Sequence, residues 1–206
     1  MPEPPSRWRA SPARLLRLLL GLVLFGAGEG LLVHSALGNS PWTVLAEGAA
    51  EQVGLAIGTT TIALSFLILL AWVPLHQRPG LGTLANAMVV GVAIDVTLRL
   101  LGGGSETLGL RALEVAGAIA LVSVGSGLYL TARLGPGPRD GLMTGLAART
   151  GGSIRLTRSL IELSACTVGV ALGGTLGLGT LAFALLIGPG VQFALGRLGA
   201  LGVADL

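Results

Sequence analysis

The sequence predicts an all-α polytopic membrane protein: six transmembrane helices forming two inverted three-helix repeats, offset by 97 residues, each with a short re-entrant or interfacial helix. Three observations predict it. Mean hydropathy is +0.82 and only 11% of residues are charged, against about 25% in an ordinary soluble domain. Apolar windows near bilayer length recur six times along the chain. The chain also matches itself, without a gap, when shifted by 97 residues.

The 206 residues leave room for roughly six or seven spans of about 20 residues, and none for a soluble catalytic domain of ordinary size. The expected organisation is a cytoplasmic tail over 1–14 and one membrane domain over 15–206. Repeat 1 runs over about 15–101 and repeat 2 over about 111–198. The 34 glycines and ten prolines punctuate apolar runs, which a disordered chain would not contain.

The spans are expected near 15–36, 57–75, 82–101, 111–132, 157–174 and 178–197. The first follows Arg7, Arg9, Arg14 and Arg17 as a signal peptide would. It outruns an h-region, however, and five more spans follow, so it is read as retained. All thirteen basic residues are arginine. With the amino terminus inside, only Arg99 and Arg111 fall outside, which is a positive-inside pattern with both termini cytoplasmic. That distribution reads as topology and not as a nucleic-acid patch. The single Cys166 excludes an intrachain disulfide, and no Cys/His pattern points to a metal. His34 and His76 stand alone and read as polar residues near span ends.

At the 97-residue offset Gly28, Gly30 and Leu31 fall on Gly125, Gly127 and Leu128, and Leu37, Gly38 and Pro41 fall on Leu134, Gly135 and Pro138. The run G-L-G-T-L-A from Gly80 to Ala85 returns letter for letter at Gly177 to Ala182. A repeat of three spans has an odd number of crossings, so the second copy enters from the opposite face. Secondary transporters are often built this way, with their sites where broken helices of the two halves meet. A duplication kept only for folding is the alternative.

After the first span of each repeat comes a matched insertion too short to cross, L-G-N-S-P-W-T-V-L-A-E-G and L-G-P-G-P-R-D-G-L-M-T-G. Pro41 and Pro138 suit a first helical turn, Ser40 or Asn39 suits a cap, and Gly54 and Gly151 suit the end. Paired half-helix amino ends offer N–H groups and positive dipole to an anion or carbonyl. In the second copy Arg139 and Asp140 stand where the first has Trp42 and Thr43. Arg139 could pair with Asp140 or face lipid phosphates in a capped loop. Alternatively it draws an anionic group to the cytoplasmic mouth while Asp140 orients it or exchanges a proton.

Charge at membrane depth needs a partner or water. Arg158 and Glu162 are four residues apart and are expected to pair on one helix face. Glu29, between Gly28 and Gly30, suits close packing or a ligand path. Asp95 and Glu114 have Arg99 and Arg111 as expected partners. Gly169-x-x-x-Gly173 and Gly173-x-x-x-Gly177 read as helix-packing faces, and Ser126 as a packing residue. No nucleotide-binding, metalloprotease or nucleophile-elbow motif is present, so no catalytic residue, cofactor or metal is assigned. The candidate substrate-binding residues are Glu29, Asn39, Pro41, Trp42, Arg139, Asp140, Arg158 and Glu162.

The order of G-x-G-L at 28–31, L-G-N-S-P-W at 37–42, R-P-G-L-G-T at 78–83, G-P-R-D-G-L-M at 137–143, R-x-x-x-E at 158–162 and G-G-T-x-G-x-G-T from 173 resembles the YczE branch of the YitT/YczE integral membrane proteins. The resemblance runs from about residue 14 to the end and implies a bacterial inner-membrane protein, multi-pass, with no securely assigned substrate. The expected function is a small inverted-repeat transporter or membrane solute-binding subunit for an anionic or zwitterionic small molecule. The alternative is a noncatalytic scaffold or regulator whose arginines hold a cytoplasmic partner or anionic lipid. The partners expected are the lipid bilayer, a small-molecule solute and, for so small a chain, a second copy or another membrane or cytoplasmic protein. Nucleic acid is not among them.

Overall fold

Each apolar window and each short insertion folds as a helix in the computed structural model, which describes residues 7–200. The first half contributes α1 (Pro12–His34), α2 (Pro41–Val53), α3 (Ile57–Trp72) and α4 (Leu81–Leu101), and the second α5 (Leu108–Thr131), α6 (Pro138–Thr150), α7 (Ile154–Ala171) and α8 (Leu178–Ala200). Adding 97 to the first residue of α2, α3 and α4 gives the first residue of α6, α7 and α8.

Local chemistry sets the ends. Ser11 caps α1 by accepting from the Arg14 N–H, and Thr107 caps α5 by accepting from Leu110. Proline opens both short helices, where its missing N–H costs nothing. Gly54 and Gly151 close them in the left-handed conformation, at φ 68° and 67°. Ala36 and Arg133, 97 apart, both take positive φ in the turns after α1 and α5.

By length and apolarity α1, α4, α5 and α8 can each cross a bilayer. The pair α2 and α3 passes only as one unit, bent by 109° at its break. That supports four to five crossings where the sequence windows led to an expectation of six. With 16 residues, α3 spans about 24 Å at 1.5 Å per residue, short of a hydrocarbon core of about 30 Å. The other deficient window, α7, carries Arg155, Arg158 and Glu162 among its 18 residues.

The core is a helix pair. Packed on α5, α1 makes the closest contact through Gly21 and Gly125, where a methyl on either would come within 2.7 Å of the other's carbonyl oxygen. Around this pair α4 lies on α1 and α8 on α5, while the short helices reach across, α2 onto α7 and α6 onto α3. The apolar filling is Leu18, Leu22, Val90, Ile94 and Tyr129 on one side, and Leu32, Ala118, Val122 and Phe183 on the other.

The repeated G-L-G-T motif fastens the halves to each other. The Leu37 carbonyl, in the turn after α1, accepts from the Gly179 N–H at 2.7 Å, and the Leu134 carbonyl, after α5, accepts from Gly82 at 2.8 Å. Each motif threonine accepts from the glycine three residues before it, Thr83 from Gly80 and Thr180 from Gly177. A methyl on Gly80 or Gly177 would lie 2.3 Å from the Leu134 or Leu37 carbonyl oxygen.

The expected packing face of Gly169, Gly173 and Gly177 is corrected. Only Gly169 lies in a helix, against the backbone of Val44 and Leu45 in α2; α7 ends at Ala171, and Gly173 turns the chain at φ 106°. Gly169 sits in the α2/α7 seam, whereas Gly173 and Gly177 lie in the loop before α8, where Gly177 makes a close backbone contact with Leu37.

Gly80→Ala and Gly177→Ala should each lower stability by about 2 kcal/mol, the scale of overpacking a closed contact. Gly109→Ala, with no atom within 4 Å of the added carbon, should be neutral or stabilising. Thermal unfolding of the purified protein in a neutral detergent reads the difference. Equal midpoints for all three would show that the clasp is not a tight contact.

Candidate functional site

Near the clasped turns the first turns of α2 and α6 touch through the side chains of Trp42 and Arg139, and polar side chains of α1 and α5 bond to them there. Glu29 is 1% exposed on α1. Its neighbours explain how a carboxylate sits there: Gly28 lies against Ala118 and Val122, and Gly30 against Ile94 and Thr97. Both its donors come from the start of α2. Ser40 and Thr43 donate to one Glu29 oxygen at 2.7 and 2.6 Å, and their own oxygens are 3.1 Å apart. Ser40 is therefore the residue before the helix, as expected, but its hydroxyl serves Glu29 and makes no capping bond.

In the second repeat the roles of the two helices are exchanged. Tyr129 of α5 donates its hydroxyl to Asp140 of α6 at 2.7 Å. The expected pairing of Arg139 with Asp140 is not formed. Arg139 instead stacks on Trp42, its guanidinium carbon 5.4 Å from the ring centroid. These two residues are 97 apart, so the equivalent positions of the two repeats touch each other. Among the described residues Arg139 makes no hydrogen bond or ion pair, although Glu29, Asp140, Tyr129 and Glu162 all act on its charge.

Asn39 and Glu47 tie α2 to the far repeat. The Asn39 amide group donates to Glu47 at 2.8 Å, and the Thr175 hydroxyl donates to the other Glu47 oxygen at 3.1 Å. The Thr175 N–H also donates to Glu47, while its carbonyl accepts from Asn39. Two buried polar atoms here have no partner, the Asn39 side-chain oxygen and Trp42 Nε1. On the opposite flank Trp72 covers Gly141 and donates to the Pro138 carbonyl at 3.0 Å.

Of the predicted site residues, Glu29, Asn39, Pro41, Trp42, Arg139 and Asp140 come together. Glu162 lies within electrostatic reach of Arg139. Arg158 pairs with Glu162 at 2.8 Å, but its side chain is 57% exposed, so it stands outside the cluster and the protein does not shield the pair. Tyr129, Thr43, Glu47 and Thr175 belong to the cluster and were missed. For Thr43 the 97-residue offset that pairs it with Asp140 was the available signal.

The expected partners of the other carboxylates are also corrected. Asp95 caps α3, accepting from the Gly58 and Thr59 N–H groups at 2.7 and 3.0 Å, and leaves Arg99 exposed. Glu114 meets His34 at 3.1 Å and accepts from the Ser105 hydroxyl. His34 bridges onward to the Gly103 carbonyl at 2.7 Å, and Arg111 donates to the Ser105 carbonyl. Helix-end N–H groups take Asp95 and the His34 and Ser105 side chains take Glu114, while Arg111 turns to a backbone carbonyl, partners that a charge-pairing rule does not see.

Tyr129→Phe and Asp140→Ala should couple in a double-mutant cycle by about 1 kcal/mol, because each removes the same buried bond. Thermal midpoints of the two single variants and the double variant measure it. Strictly additive losses would mean that the bond does not form.

Over residues 12–195 the chain matches a family of unknown function, DUF6198. It is 43% identical over 190 residues to an uncharacterized protein of Haemophilus influenzae, covering 92% of this chain and 87% of the relative. It is 33% identical over 178 residues to the uncharacterized membrane protein YczE of Bacillus subtilis, covering 85% and 82%. The uncharacterized protein YyaS of the same organism is 26% identical over 165 residues, covering 79% and 82%. No solved structure matches.

Proposed function

The chain belongs to the DUF6198 family and is a YczE-like integral membrane protein, and we propose that it is a small transporter or membrane solute-binding subunit for an anionic or zwitterionic small molecule. In this reading the six long windows all cross a bacterial cytoplasmic membrane, α2 and α6 are re-entrant, the repeats are inverted and both termini are cytoplasmic. Eleven of thirteen arginines then lie inside.

The observation that carries the reading is the contact between Trp42 and Arg139. Two half-helix amino ends from opposite repeats converge on it, and their first-turn N–H groups and dipoles favour negative charge. Among the described residues Arg139 makes no hydrogen bond or ion pair, so a solute's carboxylate or phosphate would be its first hydrogen-bonded partner, held by charge-assisted bonds. Glu29 and Asp140 offer acceptors for a solute cation. Asn39 and Pro41 shape the turn that delivers Trp42. No bond is made or broken in this scheme, and the protein acts by binding and reorientation.

A scaffold or regulator is the second reading, favoured by the exposure of Arg149, Arg155 and Arg158 around the start of α7. A ligand that binds only the folded state raises stability by mass action, by about 2.7 kcal/mol at a hundred times its Kd. A thermal-shift screen of purified protein against metabolites and amphiphiles, anionic and zwitterionic, should therefore find a stabilising compound whose effect Arg139→Gln removes. Stabilisation by none, with a cytoplasmic protein retained through the exposed arginines, would favour the scaffold.

Topology has its own test. In a Cys166→Ala background, Leu55→Cys and Gly152→Cys occupy exposed, repeat-equivalent turns and should react with a membrane-impermeant maleimide from opposite sides. Reaction of both from one side would overturn the inversion.

A further inference from the structure

The duplicated fold is not symmetric where it meets the outside. In the first repeat α3 is pinned to α4, with Asp95 bonded to the Gly58 and Thr59 N–H groups and Gly58 pressed on Gly91. The equivalent positions in the second repeat are Gln192, Arg155 and Gly188. No atom lies within 4 Å of where a Gly188 methyl would be, and α7 packs on α2 and α6 instead of α8.

An apolar cleft of about 450 Å³ lies between α2, α6 and α7, with Leu45, Leu146, Leu160, Ile161 and Ser164 among its walls. That volume falls in the range of small-molecule sites. Trp42 is both a wall of the cleft and the ring beneath Arg139. Its Nε1–H is buried and has no partner, a cost that a ligand acceptor would relieve. Leu160 and Val168 are 55% and 50% exposed at the cleft, so its open side faces the surface that lipid covers.

Charge decides the class of head group. Glu29 accepts from Thr43, the residue after Trp42, and Asp140 follows Arg139 in α6; among the described residues neither carboxylate has an ion-pair partner. An acid alone would gain Arg139 while meeting two uncompensated carboxylates. A head carrying both an acid and an ammonium satisfies both signs.

We propose that the cleft between α2, α6 and α7 takes a single-chain zwitterionic amphiphile from the bilayer, its chain along Leu45, Leu160 and Ile161, its acid on Arg139 and Trp42 Nε1–H, and its ammonium toward Glu29 and Asp140. This narrows the solute class of the preceding section and rests on that reading.

The test uses full-length protein in dodecyl maltoside, titrated with dodecyl phosphoethanolamine, dodecyl phosphate, dodecylamine and chainless phosphoethanolamine, with thermal midpoint as readout. The zwitterionic amphiphile should act at concentrations at least about tenfold below the other three, a difference of about 1.4 kcal/mol. Arg139→Gln should abolish that preference, with Arg139→Lys retaining part of it as the control for a folded site. Ser164→Phe, which fills the cleft, should raise the concentration of dodecyl phosphoethanolamine needed without changing the response to chainless phosphoethanolamine. Equal responses to the three amphiphiles would mean detergent-like partitioning and overturn the proposal. So would equal potency of chainless phosphoethanolamine, but that result would leave the solute reading standing. Failure of these four and of the wider metabolite screen would remove both.

Discussion

The reciprocal clasp between the two repeats is the constraint on which the rest of the molecule depends. A turn after α1 is held by the motif that begins α8, and the turn after α5 by the motif that begins α4. In lipid there is little hydrophobic drive to bring helices together, so backbone contact and hydrogen bonding must do it. The clasp supplies both, since Gly80 and Gly177 admit a carbonyl oxygen where a methyl could not fit. It also gives the Leu37 and Leu134 turn carbonyls hydrogen-bond partners, where an unpaired buried group would be costly.

From that clasp follows the position of the short helices. A turn fixed at Leu37 and Gly38 leaves Ser40 and Pro41 at the protein's centre, and the equivalent turn does the same for Gly137 and Pro138. Their amino ends then approach from opposite repeats, and Trp42 meets Arg139. The carboxylates nearby are handled in two ways. Glu29 is a buried acceptor for two hydroxyls of the neighbouring helix, and Asp140 is an acceptor for a tyrosine of its neighbour. The duplication thus kept its backbone and exchanged which helix supplies the acid. Among the described residues Arg139 makes no hydrogen bond or ion pair and lies over the Trp42 ring.

Divergence between the repeats concentrates on the α3/α4 and α7/α8 flanks. Asp95 with Gly58 and Gly91 makes one flank tight, and the substitution of those positions by Gln192 and Arg155 releases the other. The cleft beside Trp42 is walled by α2, α6 and α7.

The sequence by itself determined the all-helical class, the places of the helices and the 97-residue repeat, but not the number of spans, which the structure supports as four to five against the six expected. Each of these depends on hydropathy or on local turn chemistry, which neighbouring residues settle among themselves. Glu29, Asn39, Trp42, Arg139 and Asp140 were legible as a cluster because a repeat offset is also a spatial relation once the halves meet. Partner choice was not legible. Asp95 bonds two backbone N–H groups and not Arg99, Glu114 bonds His34 and Ser105 and not Arg111, and Arg139 chooses Trp42 over the adjacent Asp140. Only the tertiary structure decides such contacts, because a long side chain reaches any of several groups along its own sequence, while the packing of another helix fixes which acceptor or ring stands within hydrogen-bonding or stacking distance.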